Sequence, residues 1–442
     1  MKMKNKQIKL KEYSYLFIGD KDEGKHKAVS EQTFDELEAF VLRNSDTVQF
    51  LKIGQNKRHK FIQAQNYVGV IQTKDGTTIE ILPKISNLKS DKDESGKTIK
   101  SKDDKSKEIL IRMLKTLKKS PFKHFNMAHL KSTKMPLLEI FITMFLDELN
   151  KLIQRGIKSD YITKEENLQY LKGKLKINDQ IKRNYIHKER FFVEYQEFLS
   201  DRVENRLIKT TLLYLYKKSR SNRNQQRIRE FLFIFDEISE CKDVKVGFSK
   251  VRLDRQMKDY EQVLLWCRTF LLENSFSPYK GNDVAFALLF DMNLLFESYV
   301  YDYLRRKGEF ESITAQDKTH HLAYHEGKGR FKLKPDIVIN DGAIIADTKW
   351  KILSEDKTHQ GVSQDDMYQL YAYGTKYQKC KDLYLIYPLD KVATDEGRHY
   401  HYFDGKTCTA NQGLSLQVLF FDVAQDFKVY DFELPSDYDK NK

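Results

Sequence analysis

Cysteine is scarce in this chain. Four thiols, at positions 241, 267, 380 and 408 of 442 residues, form no CxxC pair and show no metal-ligand spacing. A reduced, cytoplasmic compartment fits that usage best, and Cys380 with Cys408 cannot supply the four ligands of an iron–sulfur cluster. Long hydrophobic runs are missing as well: the most apolar stretch, residues 137–146, is short and interrupted by Glu139. The opening MKMKNKQIKLKEY lacks the apolar core of a signal peptide. We therefore expect a soluble chain with no membrane contact. There is no internal repeat, and residues 86–107, SNLKSDKDESGKTIKSKDDKSK, contain almost nothing apolar.

What is present is enough to fold. Hydrophobic residues make up 40% and aromatics 12% of the chain, and its length suggests two or three domains. The 77 Lys and Arg outnumber the 64 Asp and Glu, and the net charge of +13 favours an anionic partner. Residues 1–85 alternate short apolar runs (YLFI, YVGVI, TIEIL) with turn signals such as Lys74-Asp75-Gly76, which predicts a small β domain. Residues 86–107 read as a charged flexible linker. From 108 to about 280 apolar residues recur at three- and four-residue spacing, predicting a helical middle region for partner or DNA contact. Its basic segments 172–190 and 217–229, the first interleaved with Tyr185 and followed by Phe191 and Phe192, could track a phosphate backbone. Residues 281–442 begin with an expected long helix over 284–306 and continue as alternating strands and helices, an α/β layer structure.

One segment carries chemistry. Residues 332–351, KLKPDIVINDGAIIADTKWK, read as two buried strands joined by an Asp341-Gly342 turn. Stepping outward from that turn pairs Asn340 with Ala343 and brings Asp336 opposite Asp347, with Cβ atoms roughly 5 Å apart. Directly opposed carboxylates in an aliphatic hairpin need compensation, and a hard divalent cation such as Mg²⁺ (or Mn²⁺) provides it. Lys349, two residues beyond Asp347, shares its face and can orient or deprotonate an attacking water and offset charge on a phosphorus transition state.

The spacing Pro335-Asp336, then Asp347-x-Lys349, resembles the PD-(D/E)XK nuclease superfamily. That resemblance implies a C-terminal restriction-endonuclease-like domain in an α+β multidomain chain, with Asp336 and Asp347 as metal ligands. Glu297, on the preceding helix, matches the auxiliary acidic ligand of that superfamily, and Gln369 with Tyr373 reproduces the Gln-x-x-x-Tyr helix motif of its RecB-like branch. Ser363 with Asp366 makes a capping box for that helix, a structural role. Further phrases, Tyr67-Val-Gly-Val-Ile, IEILPKI at 79–85, LKGKL at 171–175, Asn205-Arg-Leu-Ile-Lys209 and Asp347-Thr-Lys-Trp-Lys351, are together similar to the McrC family. Members of that family are nuclease subunits of McrBC- and LlaJI-type restriction systems, so the resemblance implies a DNA endonuclease in defence against foreign DNA. It implies as partners DNA and a McrB-like AAA+ GTPase that the chain stimulates. The alternatives are a stand-alone nuclease and a non-catalytic scaffold that activates the motor.

Two other signals carry less. Residues 19–25, GDKDEGK, fit the start of a P-loop, but His26 stands where a Mg²⁺-binding hydroxyl belongs and three carboxylates crowd a phosphate nest. A hairpin loop is the expectation there, and no nucleotide is bound by this chain itself. His320, His321 and His325 lack fixed ligand spacing and read as a surface loop or phosphate contact.

Overall fold

The computed structural model describes residues 6–24, 26–44, 49–56, 60–85, 88, 91–92, 98–118, 120–123, 135–272, 284, 286–353, 358–389, 398–402 and 413–424. The chain is a mixed α/β, multidomain protein of two compact units. One combines residues 1–134 with 275–442, and the other, 135–274, is inserted between those halves of the sequence. Among the described residues no helix is long and apolar enough to cross a membrane.

In the first unit, strands Gln7–Lys11, Thr78–Leu82, Tyr67–Gln72 and Phe286–Asp291 form one sheet in that order. Phe286–Asp291 corrects the expected helix over 284–306: its apolar FALLF run is almost fully buried and pairs antiparallel with Tyr67–Gln72. A continuously apolar run cannot be assigned to strand or helix by periodicity, and here the waiting sheet edge decides. Gly69 makes the pairing possible, because at its φ of +138° a Cβ would lie 2.0 Å from the Leu288 carbonyl oxygen. The N-terminal β region and the C-terminal region therefore share a sheet and do not separate at 85 and 281. A second sheet, ordered Lys27–Val29, Tyr15–Ile18, Lys60–Ala64, Leu51–Gln55, packs with helix Glu31–Asn44 around Leu16, Phe34, Leu37, Phe40 and Ile62. Tyr15–Ile18 and Lys27–Val29 run parallel, and the loop between them holds a tight antiparallel turn in which Glu23 and His26 exchange backbone hydrogen bonds at 3.1 and 2.9 Å.

The expected linker is also corrected in part. Residues 86, 87, 89, 90 and 93–97 lie outside the described residues, but helix Lys102–Leu114 begins inside the polar stretch. Ser101 caps it: its hydroxyl accepts from the Asp104 amide while Asp104 accepts from the Ser101 amide. Lys107 is fully buried with its ammonium 2.7 Å from Glu80. Composition could not show this, because one buried ion pair turns a polar helix face into an inner one.

The second unit is built on helices Leu137–Arg155, Val203–Lys218, Asn222–Ile234 and Lys258–Leu271, with Leu149, Leu207, Leu212, Trp266 and Phe270 fully buried. Buried Glu139 accepts from the Ser219 hydroxyl at 2.8 Å and the Asn224 amide at 2.8 Å, so its carboxylate is satisfied. The region is not all helical: Asp160–Leu168, Phe191–Leu199 and Lys174–Leu175 form a three-stranded antiparallel sheet. The sheet blunts the phosphate-tracking expectation for 172–190. Lys176 pairs with Glu165 at 2.7 Å, Lys164 with Glu197 at 2.6 Å, and Phe192 is buried beneath the Arg183 guanidinium.

A six-stranded sheet of the first unit carries the candidate site. Its order is Ile313–Ala315, Ile337–Ile339, Ile344–Thr348, Asp382–Pro388, Ser415–Phe421, Arg398–His401. The three middle strands, Ile344–Thr348, Asp382–Pro388 and Ser415–Phe421, are parallel, with helix Gln364–Lys376 crossing between the first two. Being buried, Ile344–Thr348 reads as a run of aliphatics until its last two residues.

Candidate active site

The turn of the hairpin forms as its residues demand. Asn340, Asp341 and Gly342 adopt φ of +49°, +53° and +94°, a left-handed run that these three residue types tolerate best. Ile339 pairs with Ile344, Val338 with Ile345 and Ile337 with Ala346. The next step of this register is Asp336 with Asp347, as the sequence predicts, although the ladder stops one residue earlier and Asp336 sits in a bend. There its Oδ2 accepts from the Thr348 amide at 2.8 Å and the Thr348 hydroxyl at 2.9 Å, which fixes the carboxylate beside the end of the strand.

Asp347, Thr348 and Lys349 thus lie at the carboxyl end of a parallel strand, where open α/β sheets gather their ligands. Asp347 is 2% exposed. Burial and then the Asp336 charge push its carboxyl up to about 7. Burial and then Glu297 push Asp336 up to about 6. Glu297, on helix Met292–Lys307, is raised by burial against a hydrogen bond from Gln316, with Asp347 adding to the rise. These mutual shifts place the three acids in one electrostatic neighbourhood. Among the described residues, however, no three carboxylate, imidazole or thiol groups are gathered into a ready metal cage. The close unit is the Asp336–Asp347 pair, with Glu297 acting on it through charge.

Lys349 answers part of that charge. Its ammonium is 2.8 Å from Asp347 Oδ2 and 3.5 Å from Asp366 Oδ1. Burial pulls its pKa down, but the charges of Asp347, Asp366 and Asp336 outweigh burial and hold it above the usual lysine value. Lys349 is therefore a cation here. Of the three roles expected from sequence, orienting a water and offsetting charge fit this state.

Helix Gln364–Lys376 holds the cation in place. The Lys349 ammonium donates to Gln369 Oε1 at 3.0 Å, Gln369 Nε2 donates to the Tyr373 hydroxyl at 2.7 Å, and that hydroxyl donates to the Lys334 carbonyl at 3.1 Å. Each donor has one acceptor, so the direction of the Gln369 amide is fixed. The Gln-x-x-x-Tyr spacing places both side chains one helical turn apart on the face toward the site.

Several neighbours were missed from sequence. Asp366 is not a cap: Ser363 makes no side-chain capping bond, and the Asp366 carboxylate instead faces Lys349 and the Tyr387 hydroxyl, at 3.4 Å from the latter. Thr348 orients Asp336, and the Trp350 indole donates at 3.1 Å to Glu12. Burial holds the Glu12 carboxyl at about 7 despite bonds from the Lys84 amide and Trp350. The Asp-x-Lys spacing pointed to neither partner, since one is adjacent in the chain and the other is 338 residues away. A cavity of about 480 Å³ opens beside Lys349 and Asp366, lined also by Lys84, Lys351 and Asn293.

Comparison with known proteins places the chain in a family. The sequence model described as McrBC 5-methylcytosine restriction system component matches residues 62–388. The type IV methyl-directed restriction enzyme EcoKMcrBC of Escherichia coli (strain K12) is 22% identical over 289 residues, covering 60% of this chain and 80% of that protein. Among solved structures, a chain in the refined half-complex from a tetradecameric assembly of Thermococcus gammatolerans McrB AAA+ hexamers with bound McrC aligns over 97% of both chains. Its TM-score is 0.66 at 20% identity, a likeness of fold. A chain of the Thermococcus gammatolerans McrBC complex aligns over 72% of this one and 90% of its own length, with a TM-score of 0.48 at 21% identity.

Proposed function

Because the chain belongs to the family of McrBC 5-methylcytosine restriction system components, we propose that it is the DNA-cutting subunit of such a system, a metal-dependent endonuclease with a PD-(D/E)XK domain. The observation that carries this is the charge imbalance at one strand end. Burial and then Glu297 push Asp336 toward neutrality, burial and then Asp336 push Asp347 the same way with Asp366 adding to the rise, and among the described residues Lys349 is the one ammonium paired with Asp347. A purely structural ion pair would not gather surplus carboxylates in a buried position.

The residues fit Mg²⁺ or Mn²⁺. Mg²⁺ commonly takes one or two carboxylates and keeps waters and substrate phosphate oxygens for the rest of its shell, so the Asp336–Asp347 pair is the right number of hard ligands. Glu297 is the auxiliary acid. A divalent cation bound there polarises the phosphoryl oxygen and makes bound water easier to ionise. Lys349 places positive charge where the transition state becomes more anionic and holds a water by donation. Gln369 and Tyr373 keep that ammonium in one position, and Thr348 does the same for Asp336. The phosphodiester backbone approaches along the cavity lined by Lys84, Lys349 and Lys351.

The relatives are named as McrBC enzymes, and one solved assembly is described as McrC bound to McrB AAA+ hexamers. We extend that pairing to this chain, which would act with, and stimulate, a McrB-like AAA+ GTPase while binding no nucleotide itself. The test is plasmid cleavage by the purified chain with and without that partner and GTP, in Mg²⁺ or in chelator, for wild type and Asp347→Asn. Cleavage that needs Mg²⁺ and disappears in the variant, with GTP hydrolysis retained, supports the reading. Equal cleavage by Asp347→Asn in the complex would leave the chain as a scaffold for its motor. Cleavage without any partner would make it a stand-alone nuclease. Thermal denaturation gives a second readout: Mg²⁺ should raise the melting temperature of wild type and not of Asp347→Asn.

A further inference from the structure

We propose that the hairpin His321–His325 and Lys328–Lys332 is an arm that enters the major groove of duplex DNA and holds it against the neighbouring carboxylate site. This rests on the DNA-cutting reading above and assigns the substrate's form and its contact surface.

Among the described residues the two strands pair only with each other, separate from the six-stranded sheet. They are joined by Glu326 and Gly327, both left-handed at φ of +51° and +73°, the turn that suits the twist of a two-stranded ribbon. An isolated ribbon is marginal by itself, and this one is fixed at its base. The Leu333 amide donates to the His320 carbonyl at 3.0 Å, Leu333 is buried, and the His320 ring lies 4.3 Å from that of Tyr377. Beyond the base everything large is exposed: Tyr324 by 66% and Phe331 by 75%. Phe331 also holds φ at +54°, a conformation a bulky side chain seldom keeps without a reason.

Charge identifies the occupant. Ala323 faces Arg330 and His325 faces Lys328 in the register, so Lys328, Arg330 and His325 share one side of the ribbon. Lys328, Arg330 and Lys332 are exposed, and among the described residues none of them has an ion-pair partner. Lys164 and Lys176 of the inserted unit, by contrast, are each matched by a glutamate. Lys328 and Arg330 stand two residues apart on one strand, and like charges gathered on one side of a ribbon repel unless an anion lies beside them. A ribbon of five-residue strands is about 16 Å long, and a two-stranded ribbon fits a major groove about 12 Å wide. Lys332 precedes Asp336 by four residues, so arm and site are within about 14 Å along the chain and would contact the same duplex.

The experiment uses the full chain, alone and with its motor partner, and a fluorescently labelled 30-base-pair duplex read by anisotropy across a salt series. The triple variant Lys328→Ala, Arg330→Ala, Lys332→Ala should bind about 10- to 100-fold more weakly, and its slope of log affinity against log salt should flatten by about two to three. Replacing the two lysines by arginine should retain wild-type binding. A photo-crosslinking residue at position 324 should attach to the duplex, which tests the arm without depending on the stability of any charge variant. Unchanged affinity and slope in the triple variant, no crosslink from position 324, or a loss confined to single-stranded DNA would each overturn the inference while the nuclease reading stands. Failure of wild type to bind duplex DNA at any salt would overturn both.

Discussion

Among the described residues of the first unit, Lys107 and Lys349 each meet a buried carboxylate, and the two places are built to opposite ends. Lys107 and Glu80 meet at 2.7 Å with side chains 1% and 0% exposed, one cation for one anion, closing a helix onto a strand. Lys349 and Asp347 meet at 2.8 Å, but Lys349 stays 26% exposed and is shared with Asp366, while Asp336 and Glu297 press on the same carboxylate. The first pair is balanced and sealed. At the second the acids outnumber the base and a cavity opens beside it. Burial alone therefore does not single out the proposed site; surplus charge of one sign at an accessible strand end does.

Substitutions can break this comparison, the largest effect first. Asp347→Asn should lower cleavage by about 10³- to 10⁴-fold, about 4–5 kcal/mol of barrier, because one of the two carboxylates proposed to hold the metal is gone. The same change should leave the melting temperature equal or higher, since it removes a repelled buried charge. A cleavage assay beside a thermal melt checks both, and a variant that melts early and still cuts would reverse the contrast. Lys107→Met should do the opposite, costing about 3–5 kcal/mol by stranding Glu80, with chemical denaturation as the measurement. Adding Glu80→Leu should restore most of that loss.

Glu12 sharpens the comparison as a buried acid with hydrogen bonds but no ion pair. Its carboxyl is raised from 4.5 to about 7, so the folded state holds a proton that the unfolded chain releases, and stability falls as pH rises through that window. The Lys84 charge lowers it and Asp291 raises it. Glu12→Gln should therefore gain stability over wild type by about 1–3 kcal/mol at pH 8 and little at pH 5, read from melts at the two values. An equal difference at both would show that Glu12 does not carry the proton. The smallest effect is expected at Asp366→Asn: Lys349 keeps Asp347 and Gln369, so cleavage should drop by less than about tenfold, under about 1.4 kcal/mol. A loss as deep as that of Asp347→Asn would make Asp366 a member of the metal-binding group.

The hairpin was legible in advance because its information is local. Asp341-Gly342 predicts the turn, the turn predicts the register, and the register runs to Ile337 with Ala346, one step short of Asp336 and Asp347, where Thr348 holds Asp336. The Gln369–Tyr373 spacing was legible for the same reason, being one turn of one helix. What failed were assignments that depend on a distant partner. Residues 286–291 became a strand because Tyr67–Gln72 offered an edge with a glycine in it. The charged helix Lys102–Leu114 was mistaken for linker because its reason to fold is Glu80, outside the segment. Asp366 was given a capping role from its spacing to Ser363, but Lys349 and the Tyr387 hydroxyl compete for it.

The sequence by itself determined which two carboxylates and which amine would stand together, since a two-residue period and a tight turn leave no choice over so short a span. Only the tertiary structure decided that Lys349 is a cation held by Gln369, and that Glu12 braces Trp350 from the far end of the chain. It also fixed the N-terminal strands and the site-bearing region as one unit. Those outcomes depend on desolvation and on contacts between residues far apart in sequence, quantities that no local pattern of side chains contains.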